Sequence, residues 1–494
     1  MESDKRVLLA AALSAIFVSV YSSAILKPAA MAQKRMTAIN APQVISADAS
    51  SYHRAEEDVI TMESDAIRLE VCKSSAAVRK AILKTFQVQF NPPYPLFEIA
   101  GHGRWILKQE AQRSLTFQAA GASSEYQLTY ELSAEQPVLN VAVATGGTGI
   151  SDVHMISSWD RGDALGSRNN QLELSALVQA KDKTRYFRSG QSRKERNVPR
   201  GTFLLSLAER FFCLSIKSEQ PLTVKILPSF DGHEIVAEAQ APAGATPYKA
   251  AIYFGPRDYF YLRQAGFEQA FAIGTIGQIG LTLLSALKWI ASMTKNYGVA
   301  IICFSVGITL IISPLTLISF RSMKKMQELK PKVDQILAKY KNDQMKANQE
   351  VFALYREHKV SPLSGCLPML LQMPILIALF QAMSHFIGFR GKTFLWISDL
   401  SLPDHVVHLP FALPLLGPYL NLLPIIMATA MFIQTRLSSS SMSGTESNPT
   451  AKMFSGPMMP IMFGVMFYQV PSGLVLYWLT NTLMSLVIYR IAKS

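Results

Sequence analysis

Residues 296–359 read NYGVAIICFSVGITLIISPLTLISF and then RSMKKMQELKPKVDQILAKYKNDQMKANQEVFALYREHK. The first part, Asn296–Phe320, contains no Asp, Glu, Lys or Arg. About 20 apolar residues suffice to cross a bilayer as a helix. The second part, 321–359, carries ten Lys/Arg against five Asp/Glu. A charge-free run opening into a basic segment is the pattern of a span followed by a cytoplasmic loop.

Five further stretches lack charge: Val7–Leu26, Gln269–Leu287, Val360–Phe389, Val406–Thr435 and Met453–Tyr489. The last is too long for one span and breaks at Val470-Pro471-Ser472-Gly473, a turn between two helices. Gln269–Leu287 is apolar but carries Gly274, Gly277, Gly280, Gln278 and Thr282. If it spanned, 321–359 would share a side with the residues before it, against the charge rule. Residues 265–293 are therefore read as an amphipathic helix at the outer interface. The expected spans are 7–26, 297–319, 363–388, 418–436, 455–470 and 473–490, with both termini cytoplasmic and the loop 390–417 external. Lys5-Arg6 precede the first run, and Ala30-Met31-Ala32 offers a cleavage site. The run exceeds the usual 7–15 residues of a signal core, which favours an uncleaved anchor over 1–26.

Residues 27–264 read as an external soluble domain. Ala66–Val71, Tyr126–Leu132, Val138–Ala144, Phe203–Ile216, Leu222–Leu227 and Ala250–Phe254 are short apolar runs between polar turns, the pattern of an antiparallel sandwich. Lys181–Arg200 is basic and reads as a loop. Cys72 and Cys213 leave two readings open, a disulfide or two unpaired buried thiols.

In 321–359, Met326, Leu329, Val333, Ile336 and Tyr340 recur at heptad spacing. A turn at Lys341-Asn342-Asp343 and a second helix over Gln344–Glu357, with Met345, Phe352 and Tyr355, complete a hairpin. Lys324, Lys325, Lys330, Lys332 and Glu350 belong to its charged surface.

The net charge of +13 is accounted for in large part by residues flanking spans, not by nucleic-acid binding. None of the expected spans contains a carboxylate or lysine, and their arginines, Arg436 and Arg490, stand only at span ends, against ion- or proton-coupled transport. No HExxH, GxSxG or Walker loop is present, and no Cys/His metal spacing. Neither a catalytic residue nor a cofactor or metal is expected. The polar residues inside spans are neutral: Thr309, Gln372, Gln381, Gln434, Thr480 and Asn481. They either join helices by hydrogen bonds or line a hydrated cavity. Met373 on one span and Met459, Met462 and Met466 on another are flexible thioethers, suited to varied apolar partners or to ordinary packing.

Several strings resemble the YidC/Oxa/Alb insertase family. They are Tyr253–Tyr259 (YFGPRDY), Ser313-Pro314-Leu315-Thr316 as a second-span terminus, Glu350–Ile375, Trp396–Ser401 (WISDLS), Phe432-Ile433-Gln434 and Pro471–Trp478 (PSGLVLYW). The resemblance is dense over about 288–490. It implies a six-span membrane α-helical bundle with a five-helix core over 294–494, an N-terminal all-β periplasmic sandwich and a cytoplasmic helical hairpin. It implies insertion of client proteins into the inner membrane through a polar groove. Thr309, Gln372, Gln434, Tyr477, Trp478 and Asn481 would line the groove, and the four methionines would form a slide for clients. Expected partners are newly made membrane proteins, the Sec translocon, ribosomes or targeting factors, and anionic lipids. Thr309 stands where the family carries arginine, so this groove is expected to be polar but uncharged. A lipid scramblase or a solute transporter is the alternative.

Overall fold

The structure is a computed structural model. It describes residues 58–90, 98–99, 105–119, 126–145, 153–160, 175–180, 184–188, 196–197, 201–227, 234–240, 247–271, 274–341, 343–358, 360, 367–413, 416–439 and 458–493. The expected anchor 1–26 and the loop 440–452 lie outside these residues, as does Cys366. The chain divides into two units, Met1–Ala272 and Ile273–Ser494.

In the first unit every pairing among the described strands is antiparallel. A four-stranded meander, Val59–Phe90, precedes a larger system whose central path passes through Phe212–Leu227, Tyr248–Pro256, Val138–Thr145 and Tyr126–Leu132. Tyr126–Leu132 alternates buried and exposed side chains, as period-two patterning requires of a sheet with one face on the core.

The run expected as one strand, Phe203–Ile216, is a hairpin. Thr202–Ala208 turns back into Phe212–Leu227, with Glu209 N donating to Phe212 O at 3.0 Å. The turn residues Arg210 and Phe211 are not glycine, asparagine or proline and keep negative φ, so no turn signal marks them. The return strand runs on through Pro221 and absorbs the separate strand expected at 222–227. Its first half pairs with Tyr248–Pro256 and its second with Glu234–Gln240.

Cys72 and Cys213 are both buried and form no disulfide. Burial pushes the Cys213 thiol up to about 12, although Ser215 and Arg257 oppose it. A buried, protonated thiol of this kind is a packing group.

Asp258 caps the short helix α1, Tyr259–Gln264, accepting from Phe260 N at 2.9 Å. Leu262, Phe267 and Ala270 then pack with Val138, Leu204, Cys213 and Tyr253. Phe267 and Ala270 therefore belong to the core of the sandwich unit, with Ala265 and Phe271 packed against it.

The second unit is helical. Its helices are α2 Thr275–Thr294, α3 Tyr297–Lys339, α4 Gln344–Glu357, α5 Leu367–Met383, α6 Leu422–Ser439, α7 Met458–Phe467 and α8 Ser472–Lys493. Among the described residues three helices are long and apolar enough to cross a membrane: Thr275–Thr294, Tyr297–Met326 and Ser472–Ile491. The apolar helices Gln372–Met383, Leu422–Leu437 and Met458–Phe467 are shorter.

Helix α2 presents Gly277, Gly280, Leu284, Leu287 and Ala291 as a buried stripe at spacings of three and four. At Gly280 an added Cβ would stand 2.2 Å from Ala378 O, so α2 and α5 meet backbone to backbone. Helix α3 does not stop at Pro314. It runs through Pro314 and Pro331 as one helix of 43 residues, carrying the span directly into the hairpin. Both prolines lack an N–H, so each removes one bond from the helix ladder without ending the helix.

Beyond α3 the chain turns into α4, which Asp343 caps by accepting from Lys346 N at 3.0 Å. The seam residues Met326, Leu329 and Val333 are buried. On α4, however, Met345 and Phe352 face outward, 75% and 55% exposed, and Ala347 fills the seam instead. Burial, then the Asp334 carboxylate, raises the Tyr355 hydroxyl above its ordinary range, which places Tyr355 against α3. The hairpin base docks on the end of α8, where Phe320, Leu329 and Val360 meet Ile488.

Candidate functional site

Among the described residues of the helical unit, one set of buried polar side chains follows a track along α3. On α3, Ser305, Thr309, Thr316 and Ser319 recur at helical spacing and are buried. Each donates its hydroxyl proton to the carbonyl four residues earlier, Ser305 to Ile301 O at 2.6 Å and Thr309 to Ser305 O at 2.7 Å among them. Back-bonding of this type satisfies a hydroxyl without a second helix. The track therefore adds little interhelical glue until it reaches Thr309.

At Thr309 the α3 track meets α8. Thr309 Oγ1 touches the Asn481 amide. Thr309 has one proton, shared between Ser305 O and the Asn481 Oδ1, and the Asn481 Nδ2 is buried without a hydrogen-bond partner among the described residues. One turn earlier on α8, the fully buried Tyr477 stands on the same helix face as Asn481. Its hydroxyl accepts from Gln372 Nε2 of α5 at 2.6 Å. The result is one uncharged polar chain, Gln372–Tyr477–Asn481–Thr309–Ser305, across three helices. Every member is a neutral donor and acceptor, so the chain can exchange internal bonds for bonds to water or to a polar segment without stranding a charge.

Thr309, Gln372, Tyr477 and Asn481 are thus brought together. Trp478 and Gln434 are not part of this chain. Trp478 projects toward α6 and α7, its Nε1 directed at Met431 Sδ at 3.4 Å and its ring stacked with Phe463 at 5.7 Å. Gln434 is half-buried on α6. Met373 and Met459 are half-buried, Met462 is exposed and Met466 is buried. The methionines therefore grade from surface to core and do not form a single exposed strip. On the hairpin, Lys324, Lys325, Lys332 and Glu350 are exposed and Lys330 is half-buried.

A second polar cluster, unmarked in the sequence reading, closes one end of the bundle. Asp404 is buried, and its Oδ2 accepts from Leu422 N at 2.9 Å, Leu423 N at 2.8 Å and Trp396 Nε1 at 3.3 Å. It caps α6 across a long loop. Asn421, the residue a local capping rule would select, instead accepts from His405 N at 3.0 Å and donates to Tyr468 O at 2.7 Å. Residues 418–420, expected inside a span, form the strand Gly417–Leu420, paired with Val407–Leu413. Ser472 at the start of α8 donates to Leu402 O at 2.7 Å. Burial lowers the His405 imidazole from its ordinary range despite the neighbouring Asp404, and the ring stacks on Tyr419 at 4.3 Å. Among the described residues no group of His, Cys, Asp and Glu is arranged to hold a metal.

The family model described as 60Kd inner membrane protein matches residues 289–494. A membrane protein insertase YidC from Geobacter sp. (strain M21) is 40% identical over 249 residues, covering 50% of this chain and 43% of that protein. The chain thus matches less than half the length of this relative. A membrane protein insertase YidC from Chlorobaculum parvum is 27% identical over 508 residues, covering 90% of this chain and 84% of that protein. A crystal structure of an active YidC insertase with its first transmembrane domain resolved aligns at 17% identity, covering 88% of this chain and 92% of that chain, with a TM-score of 0.38. The polar chain and the end cluster both lie inside the region matched by the family model. Over residues 289–494 the chain is thus similar to the 60Kd inner membrane proteins and to proteins named membrane protein insertase YidC.

Proposed function

We propose that this protein inserts client transmembrane segments from the cytoplasm into the inner membrane, with the polar chain on α3, α5 and α8 as the client's path. The observation that carries this reading is the uncharged set Gln372, Tyr477, Asn481 and Thr309 brought together inside the helical bundle, in a chain whose relatives are named insertases. A client's polar flank pays several kcal/mol to enter hydrocarbon without partners. Neutral groups that release their internal bonds lower that barrier. The apolar segment then leaves into lipid, driven by burial at about 25 cal/mol per Å². No nucleotide, cofactor or metal enters the scheme, and the protein acts as a chaperone of the membrane, not as an enzyme. Gln434 and Trp478 would line the path where it widens toward α6, and the methionines Met373, Met459, Met462 and Met466 would accept varied apolar clients.

The orientation follows from charge. The basic hairpin would be cytoplasmic and the sandwich periplasmic, with α2 lying at the outer interface and six spans in all counting 7–26. The hairpin and the C-terminal Arg490 and Lys493 would meet ribosomes, targeting factors or anionic headgroups, and the bundle would work alone or beside the Sec translocon. A cysteine placed at the exposed Met345 is expected to react with an impermeant maleimide only after the cytoplasmic side is opened. Labelling from the outside of intact cells reverses the topology.

Reconstitution tests the function against its nearest rival, lipid scrambling, which also wants a polar path open to the bilayer. Vesicles holding the purified full chain are expected to protect a single-span client from added protease while leaving labelled lipid unscrambled. Scrambling without client protection favours the rival.

A further inference from the structure

Residues Phe394–Ile397 form a tight turn, with Phe394 N donating to Ile397 O and Ile397 N to Phe394 O, both at 2.9 Å. Leu395 at its tip has φ +52°. Side-chain-bearing residues seldom adopt this region, and glycine or asparagine occupies it more cheaply. Leucine gains nothing in packing there, since it is 74% exposed. Its neighbour Trp396 is 42% exposed, yet its indole is fixed by the bond to Asp404. The fold thus holds a strained leucine and a tethered tryptophan outward, side by side.

The turn sits level with three helix ends. The Phe394 ring lies against Gly298 in the first turn of α3, where an added Cβ would stand 2.1 Å from it. Asp404 caps α6, and Leu402 and Leu400 receive the first amides of α8. The charges nearby are sorted by sign. Lys392 in the turn's own loop and Lys295, just before α3, are exposed. The carboxylates of the loop are turned inward, Asp399 accepting from Ser401 N at 2.8 Å and Asp404 from α6. An apolar pair flanked by outward cations, with the anions withdrawn, matches a phospholipid interface: acyl boundary for the leucine and indole, phosphate for the lysines.

We propose that Leu395 and Trp396 anchor this end of the bundle in the external phospholipid interface and fix how deep the helices sit. The anchor rests on the reading above that these helices cross the bilayer with this end outside.

The test uses the full chain without cysteines, as a monomer in phosphatidylcholine/phosphatidylglycerol nanodiscs, with an environment-sensitive fluorophore on a cysteine at the exposed Thr393. A second probe at Ile311, 77% exposed on α3, reports the span itself. The Thr393 probe is expected to be quenched by lipid spin-labelled near the headgroup and shielded from aqueous iodide, and the Ile311 probe by lipid labelled deep in the chain. Leu395→Asn suits the backbone and removes the apolar contact. It is expected to fold normally and to cut quenching at Thr393 at least about twofold, the interfacial contact being lost. If the Thr393 probe is open to iodide and unquenched by lipid while Ile311 is quenched, the anchor is overturned and the span reading stands. Unchanged quenching in Leu395→Asn also overturns the anchor. If neither probe is quenched by lipid, the span reading falls and the anchor with it. Quenching that appears only when a second protein is added assigns the tip to a protein partner.

Discussion

Asp404→Ala is expected to cost about 3 kcal/mol of folded stability, since a buried acceptor serving three donors leaves each donor in debt by about 1 kcal/mol or more. The three donors are the first two amides of α6 and the Trp396 indole. The amides are helix-terminal groups that have no intrahelical acceptor, and loss of a side-chain cap alone costs about 1 kcal/mol. Asp404→Asn keeps an acceptor of the same shape but removes a negative charge from the positive end of α6, a smaller loss of about 0.3–1 kcal/mol. Trp396→Phe removes one long bond and should cost least. Reversible unfolding followed by circular dichroism in a mixed detergent series is expected to rank the variants Ala, Asn, Trp396→Phe in decreasing loss. An Asp404→Ala protein as stable as the parent would show that the cap is supplied by water and that the end cluster is not what holds the loop.

That cluster also shows where reading the chain runs out. Charge-free runs located the apolar helices of the second unit, because desolvating a charge is so costly that its absence is informative at any position. The helix over Gln344–Glu357 was legible for a similar reason, since a turn and its capping residue are local patterns. Asp404 escaped because its partners Leu422 and Leu423 lie across a loop, and Asn421 stands where a local rule looks first. The hairpin turn at Arg210-Phe211 escaped because type-independent residues can turn a chain whenever both keep negative φ. Met345 and Phe352 were assigned to the seam on apolarity alone, but the narrow approach of α4 to α3 admits Ala347. In the candidate site, burial depth was the missing information. Tyr477 and Trp478 are neighbours in sequence, yet a helix sends them about 100° apart, one to the polar chain and one to the aromatic stack.

Thr309 can be judged on the same terms. The sequence reading allowed either a helix contact or a hydrated path, and Thr309 is bonded to Ser305 and Asn481 across the α3–α8 contact. A path that opens must break these bonds, so the bonds should be weak and their groups necessary. Replacing both partners by apolar side chains of similar shape is nearly neutral for stability, and membrane hydrogen bonds average only about 0.6 kcal/mol. Thr309→Val combined with Asn481→Leu is therefore expected to fold with stability within about 1 kcal/mol of the parent. It removes the neutral donors and acceptors that a client's polar flank would borrow. If that loan is worth about 1.4 kcal/mol at the barrier, insertion slows about tenfold. Stability and function thus separate, which a purely structural role for these residues does not allow.

The decisive measurement is the initial rate at which a single-span client becomes protease-protected in vesicles holding equal amounts of folded parent or of the Thr309→Val/Asn481→Leu protein, with protein-free vesicles as the baseline. The expected result is rapid protection with the parent and a rate about tenfold lower with the double variant, at unchanged folded content. Equal rates for the two proteins, or no gain of the parent over protein-free vesicles, would contradict a client path through the polar chain.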